Sequence, residues 1–263
     1  KTNIGLKPEY FADLAYHAWK GGLDICKDDE LLADVPYSPL KKRVELVIEK
    51  MGKAEDETGE KKMYIANITD EVDRILELHD LVYSLGGNAI MVNSLPVGLS
   101  GVRMLAKKSK IPIFSHFDFI ASFSRMPNFG VASPVIVKLQ RLVGCDGIIM
   151  PGLGKRMMVP SDEVVDSLHT CLNEMGEILP ALPIPGGSDW AGTLQHMYET
   201  FGTIEFSMVP GRGVFGHPMG PESGARSLRQ AWDAICVGKE IREYAQNHIE
   251  LQKAIDFFGQ KEE

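Results

Sequence analysis

The sequence predicts an α/β fold, a (β/α)8 TIM barrel with parallel strands, and three observations carry the prediction. Apolar runs of strand length alternate with amphipathic segments of helix length from one end of the chain to the other, the pattern of a parallel sheet covered by helices. The 263 residues suit such a barrel, whose usual size is about 250. The Gly-rich fingerprint of an open doubly wound sheet does not follow the first strand.

Taken in order, the first strand is the stub 1–5, read as truncated because the chain opens on Lys1 directly before a helical segment. The runs 23–26, 63–67, 89–92, 111–116, 147–150, 181–185 and 204–208 follow, which brings the count to eight. Between them, Leu40, Val44, Val47, Ile48 and Met51 share one helical face, as do Val72, Ile75, Leu76, Leu78, Leu81 and Val82. Further helices fit 9–20, 98–107, 134–142, 161–175, 193–201 and 223–246. Thr69 and Ser161 occupy N-cap positions, and Gly21, Gly86 and Gly202 occupy C-terminal ones. The connection 119–133 has no clear period and is a candidate active-site loop. The expected organisation is one barrel domain over 1–263.

Composition narrows the function classes. With 44% hydrophobic and 24% charged residues the chain has ample material for a core. Its 28 basic against 36 acidic residues give a net charge of -8, which repels a phosphodiester backbone, so no nucleic-acid partner is expected. Cys26, Cys145, Cys171 and Cys236 are scattered through apolar segments without CxxC or zinc spacing, as in a reducing compartment. No apolar run approaches the ~20 residues of a membrane span, and the N-terminus lacks signal-peptide character. A cytoplasmic location without a membrane partner is the expectation.

Barrels of this kind place their active sites at the C-terminal ends of the strands, and here those ends are polar. The first strand offers Lys1 and Asn3, the second Lys27, Asp29 and Glu30, the fifth His116, and the loop after the sixth carries Lys155. PGGS at 185–188 and PGRG at 210–213 follow the seventh and eighth strands, where glycine backbone N–H groups approach phosphate. Arg212 adds a bidentate donor. Two carboxylates, Asp29 and Glu30, suit Mg²⁺. A lysine beside them either neutralises the acids or, having added CO₂, becomes a carbamate and thus an oxygen ligand; spacing alone leaves both open.

GGLDICKDDE, 21–30, resembles the GGLDFxKDDE segment of the RuBisCO large-subunit superfamily. KTNIGLKPE at the N-terminus is similar to that family's KPKLGL, AEDETGEKKMYIANIT to its AxxETGExKxxxxNxT, and FGHPMGPESGA to its GHPxGxxxGA. The resemblance implies a carbamylated Lys27 that binds Mg²⁺ with Asp29 and Glu30, Lys1 as a proton-transfer residue, His116 at the substrate and Lys155 on a lid. It also implies a separate N-terminal α/β domain, absent from this chain, and a homodimer in which that domain completes the partner's site.

The departures bear on substrate. Asn3 stands for a second lysine, Phe117 for an arginine, Met150 and Pro151 lie where another histidine is found, and Pro185 replaces a serine. By the resemblance, these departures imply that one of the family's two phosphate sites is dismantled, while Gly186, Gly187, Gly211 and Arg212 are expected to retain the other. The resemblance therefore implies a RuBisCO-like protein of the form IV type and not a true carboxylase. Its expected substrate is a small phosphorylated keto sugar or sugar acid, processed through an enolate by a decarboxylase or transcarboxylase reaction. Enolisation of a methylthio ketose phosphate is the alternative, and a catalytically silent binding barrel or a Schiff-base aldolase are readings of other classes.

Overall fold

The computed structural model of the chain describes residues 5–124, 129–154, 157–187 and 189–259. Among the described residues six strands, β1 (Ile25–Lys27), β2 (Met63–Asn67), β3 (Ala89–Asn93), β4 (Ile113–His116), β5 (Gly147–Pro151) and β6 (Leu182–Gly186), pair in sequential order, and every pair is parallel. Helices α1 (Pro8–Lys20), α2 (Leu40–Thr58), α3 (Ile75–Ser84), α4 (Ser94–Val97) and α5 (Leu99–Ala106) belong to the first half. The second half contains α6 (Ile120–Ser124), α7 (Ser133–Leu142), α8 (Ser161–Leu172), α9 (Leu194–Phe201), α10 (Gly211–Phe215), α11 (Pro221–Cys236), α12 (Ile241–Tyr244) and α13 (Ile249–Phe258). Each parallel step is made by a crossover that carries a helix, as parallel pairing requires.

The period of two along each strand divides the core. Ile65, Ala89, Met91, Phe114, Ile149 and Ile184 cluster on the inside of the curled sheet. Their neighbours Tyr64, Ala66, Ile90, Val92, Ile148 and Met150 face outward into a larger cluster with the helices. Burying each Val, Ile, Met or Phe side chain among them stabilises the fold by about 1.5–3 kcal/mol. Burial also pushes the thiols of Cys26, Cys145 and Cys171 up to about 12, so these are packing residues. No helix among the described residues is long and apolar enough to cross a membrane.

The expected eighth strand, 204–208, is not a strand. Its bond to the sheet runs from the Ser207 N–H to the Pro183 carbonyl, 3.0 Å. That bond shows that Pro183 and, two residues on, Pro185 turn their backbone toward this segment, and neither has an N–H to give. The neighbouring segment can donate to β6 but not accept from it at these positions, and a ladder does not form. Of the stub 1–5, residues 1–4 lie outside the described residues.

Smaller differences have equally local causes. Thr69 caps no helix, because its hydroxyl donates to Asn67 Oδ1 at 2.6 Å. α3 therefore begins at Ile75, leaving Val72 exposed. Ser161 is the first residue of α8, behind Pro160. The expected helix 223–246 breaks after Cys236, where Gly238 takes φ 67°, and resumes as α12.

Gly224 sets the approach of α11 to α10. A Cβ there would lie 2.5 Å from the Val214 carbonyl oxygen and 2.7 Å from its Cα, both backbone atoms. Gly224→Ala is expected to cost about 1–3 kcal/mol, measured as a lower urea midpoint at unchanged m-value.

Candidate functional site

Extending the inward set of each strand to its C-terminal end brings Lys27, Asn67, Asn93 and His116 to one mouth of the sheet, with Asn93 and His116 paired in register. The residues between them point the other way. Asp28, completely buried, accepts hydrogen bonds from the Arg43 guanidinium of α2 at 3.2 Å, the Tyr64 hydroxyl at 2.7 Å and the Asn67 N–H at 2.9 Å. Arg43, also completely buried, donates further to the carbonyls of Leu32, Ala33 and Ser38. This network pins the loop that carries Asp29 and Glu30 to α2.

From the inner side, the Glu30 carbonyl accepts the side-chain amides of Asn67 and Asn93, both at 2.9 Å. With its backbone held at both flanks, Glu30 directs Oε2 to 3.6 Å from Lys27 Nζ and 3.4 Å from His116 Nε2. Lys27 Nζ donates to the Asp28 carbonyl at 2.6 Å. Asp29 is buried, and its Oδ1 accepts the Leu31 N–H at 3.0 Å. The other ring nitrogen of His116 lies 3.1 Å from Asp118 Oδ1. Burial lowers the His116 pKa, although the Asp118 hydrogen bond works in the opposite direction, which favours a neutral ring.

The expected anion loops are also brought together. Gly213 N–H donates to the Asp189 carbonyl at 3.1 Å, and Gly152 N–H to the Gly186 carbonyl at 3.0 Å, so the loops after β5 and β6 and the start of α10 form one surface. A Cβ on Gly152 would lie 2.9 Å from the Gly186 nitrogen, which explains glycine at that contact. A cavity of about 330 Å³ reaches from Lys27 and Ile65 past Ile184 and Val209 to Gly211. Two details differ from a simple phosphate cradle. The Gly187 N–H donates to Asp189 Oδ2 at 2.9 Å, and the Arg212 guanidinium lies over the Phe258 ring of α13, 5.2 Å from its centroid. Lys1 and Lys155 fall outside the described residues.

The structure brings Lys27, Glu30 and His116, all expected from the sequence at strand ends, to one mouth. The contacts of the site also involve Asp28, Asn67, Asn93, Asp118 and Asp189, which the sequence reading did not single out. The two asparagines were findable, since each closes an inward-facing period-two series. Asp118 stands two residues after His116.

Asp189 gives the site a pH signature. Burial pushes its carboxyl from the ordinary 3.8 up to about 6, against the bonds from Gly187 and Thr193. A raised folded-state value means stability is fully present below about pH 4 and is lost as pH rises through about 6. Asp189→Asn is expected to match the parent near pH 4 and to exceed it by roughly 2–3 kcal/mol at pH 8 in urea unfolding.

The donor set fits a divalent cation under one condition. Asp29 and Glu30 supply hard oxygens, but a Lys27 ammonium 3.6 Å from Glu30 Oε2 would repel the ion. Converted to a carbamate, the same side chain adds a third anionic oxygen group.

Known proteins resemble the chain throughout. The family model described as ribulose bisphosphate carboxylase large chain, catalytic domain, matches residues 1–258. A ribulose bisphosphate carboxylase-like protein of Allochromatium vinosum is 56% identical over 259 residues, covering 98% of this chain and 57% of the relative. The 3-oxo-isoapionate-4-phosphate decarboxylase of Rhizobium etli is 32% identical, covering 98% and 63%. The crystal structure of octameric ribulose-1,5-bisphosphate carboxylase/oxygenase from Pyrococcus horikoshii superposes with a TM-score of 0.93 at 30% identity, covering 99% of this chain and 64% of that one. The chain thus spans about three-fifths of the length of its curated relatives.

Proposed function

Since this chain belongs to the family of the ribulose bisphosphate carboxylase large chain, we propose that it is the barrel of a RuBisCO-like, Mg²⁺-dependent enzyme acting through an enolate on a keto sugar phosphate or sugar-acid phosphate. The observation that carries this reading is the convergence of Lys27 and His116 on Glu30 Oε2, at 3.6 and 3.4 Å, at the C-terminal mouth of the strands. Lys27, as a carbamate, holds the cation with Asp29 and Glu30. The cation supplies charge stabilisation to adjacent substrate oxygens as negative charge develops.

His116 orients the substrate near the carbon that loses its proton, and Lys1 and Lys155 serve as proton-transfer and lid residues. Gly186, Gly187, Gly211 and Arg212 take the substrate phosphate; for Gly187 and Arg212 this requires release from Asp189 and Phe258. The apolar Phe117, stacked on His116 with ring centroids 4.7 Å apart, offers no donor to a second phosphate. A decarboxylase-type reaction is favoured, and a relative bearing such a name is 32% identical. The intact protein is proposed to be a homodimer.

The test is ligand binding by calorimetry, with 2-phosphoglycolate as probe, across Mg²⁺ and bicarbonate concentrations. Binding is expected to strengthen at least about tenfold with both ions and to lose that dependence in Lys27→Ala. Indifference to both ions in the parent chain would remove the reading.

A further inference from the structure

We propose that Thr69, Asn67 and Asn93 form a positioning relay that presets Asp29 and Glu30 for a cation, with the Thr69 hydroxyl fixing which end of the Asn67 amide faces the acids. The inference rests on the cation-site reading above. A circuit of hydrogen bonds carries it, and the chemistry of each group settles which atom donates.

The circuit starts from groups that have one role only. The Asn93 N–H can only donate, and it does so to Thr69 Oγ1 at 2.9 Å, so the hydroxyl proton is left for Asn67 Oδ1, 2.6 Å away. The Thr69 N–H, also a donor only, reaches the same Oδ1 at 3.0 Å. Both bonds require oxygen at that end of the amide. The nitrogen then lies at the other end, where it meets two acceptors, the Asp29 carbonyl at 3.1 Å and the Glu30 carbonyl at 2.9 Å. Asn93 Nδ2 takes the second lone pair of the Glu30 carbonyl, also at 2.9 Å. A flipped Asn67 would set oxygen against two carbonyls.

The relay ties a loop to strands. Asn67 closes β2 and Asn93 closes the paired strand β3, so the two asparagines hold the backbone of the acids from a rigid base. The Leu31 N–H bonds Asp29 Oδ1 at 3.0 Å, which ties one acid's side chain to the same backbone. Two adjacent carboxylates, with a carbamate as a third anion, repel one another before a cation arrives, and an unrestrained loop would spread. Neutral amides oppose that spreading without adding a positive charge to compete with the ion. Asn67 is fully buried and Asn93 is 6% exposed, which keeps water from taking over these bonds.

The test measures Mn²⁺ binding to the full chain in bicarbonate, from the electron paramagnetic resonance signal of free Mn²⁺, well below the unfolding midpoint of each variant. Thr69→Val keeps the branched shape and removes the hydroxyl; it is expected to weaken Mn²⁺ binding about 10-fold, and Asn67→Leu about 10–100-fold. Thr69→Ser restores the hydroxyl and should stay within about twofold of the parent. Because Thr69 acts through Asn67, adding Thr69→Val to Asn67→Leu should change the affinity by less than about threefold. Parent-like affinity in both Thr69→Val and Asn67→Leu, with binding weakened in Glu30→Gln, overturns this inference and leaves the cation site standing. A loss in Thr69→Ser equal to that in Thr69→Val does the same. Mn²⁺ affinity unchanged by Glu30→Gln overturns both.

Discussion

Lys27→Met is expected to lower solvent-proton exchange into a keto sugar phosphate by at least about a thousandfold, because on the proposed function it would remove both the carbamate and the cation that the carbamate holds. The side chain lies 9% exposed at the mouth, between the Asp28 carbonyl and Glu30 Oε2, so methionine of similar length leaves packing nearly intact. Cation binding separates this effect from misfolding. The Met variant should melt close to the parent yet show no bicarbonate-dependent Mg²⁺ uptake. Retention of more than about a tenth of the parent exchange rate would remove Lys27 from the chemistry.

The largest stability effect is expected behind the site, at Arg43. Its guanidinium and the Asp28 carboxylate are both fully buried, and Arg43 also holds three carbonyls of the following loop. Arg43→Met strands a buried carboxylate and is expected to cost about 3–5 kcal/mol. Adding Asp28→Asn to that variant should restore at least about 1 kcal/mol by neutralising the stranded charge, even though Tyr64 and the Asn67 N–H still bond to the side chain. Urea unfolding checks both, and a loss below about 1 kcal/mol for Arg43→Met would show that the pair contributes little net stability.

The apolar runs located β2 to β6 because a strand buried on both faces announces itself as a continuous hydrophobic run. The same rule overreached at 204–208, where the deciding factor lies in the partner strand. Pro183 and Pro185 withdraw the donors, and nothing within 204–208 reports that. The position of Lys27 at the end of its strand placed it among the residues of the C-terminal mouth, and the resemblance supplied a chemical reason for lysine among acids. Asp28 is different: in KDDE it reads as one acid among several, and only the fold shows that it points away from the mouth into Arg43. Arg43 lies in the basic stretch Lys41–Lys42–Arg43, whose composition resembles solvent-facing surface. Its burial depends on a partner fifteen residues away. Gly187 shows a further limit, since glycine marks where an anion could approach but not that Asp189 already occupies the amide.

Enolate formation is the central claim, and deuterium exchange tests it most directly. The parent chain, with Mg²⁺ and bicarbonate in D₂O, is incubated with a panel of keto sugar phosphates and followed by proton NMR. The account predicts loss of one carbon-bound proton signal next to the ketone of at least one compound, dependent on both ions and absent in Lys27→Met. Exchange that proceeds equally without Mg²⁺ and bicarbonate, or equally in Lys27→Met, would contradict it.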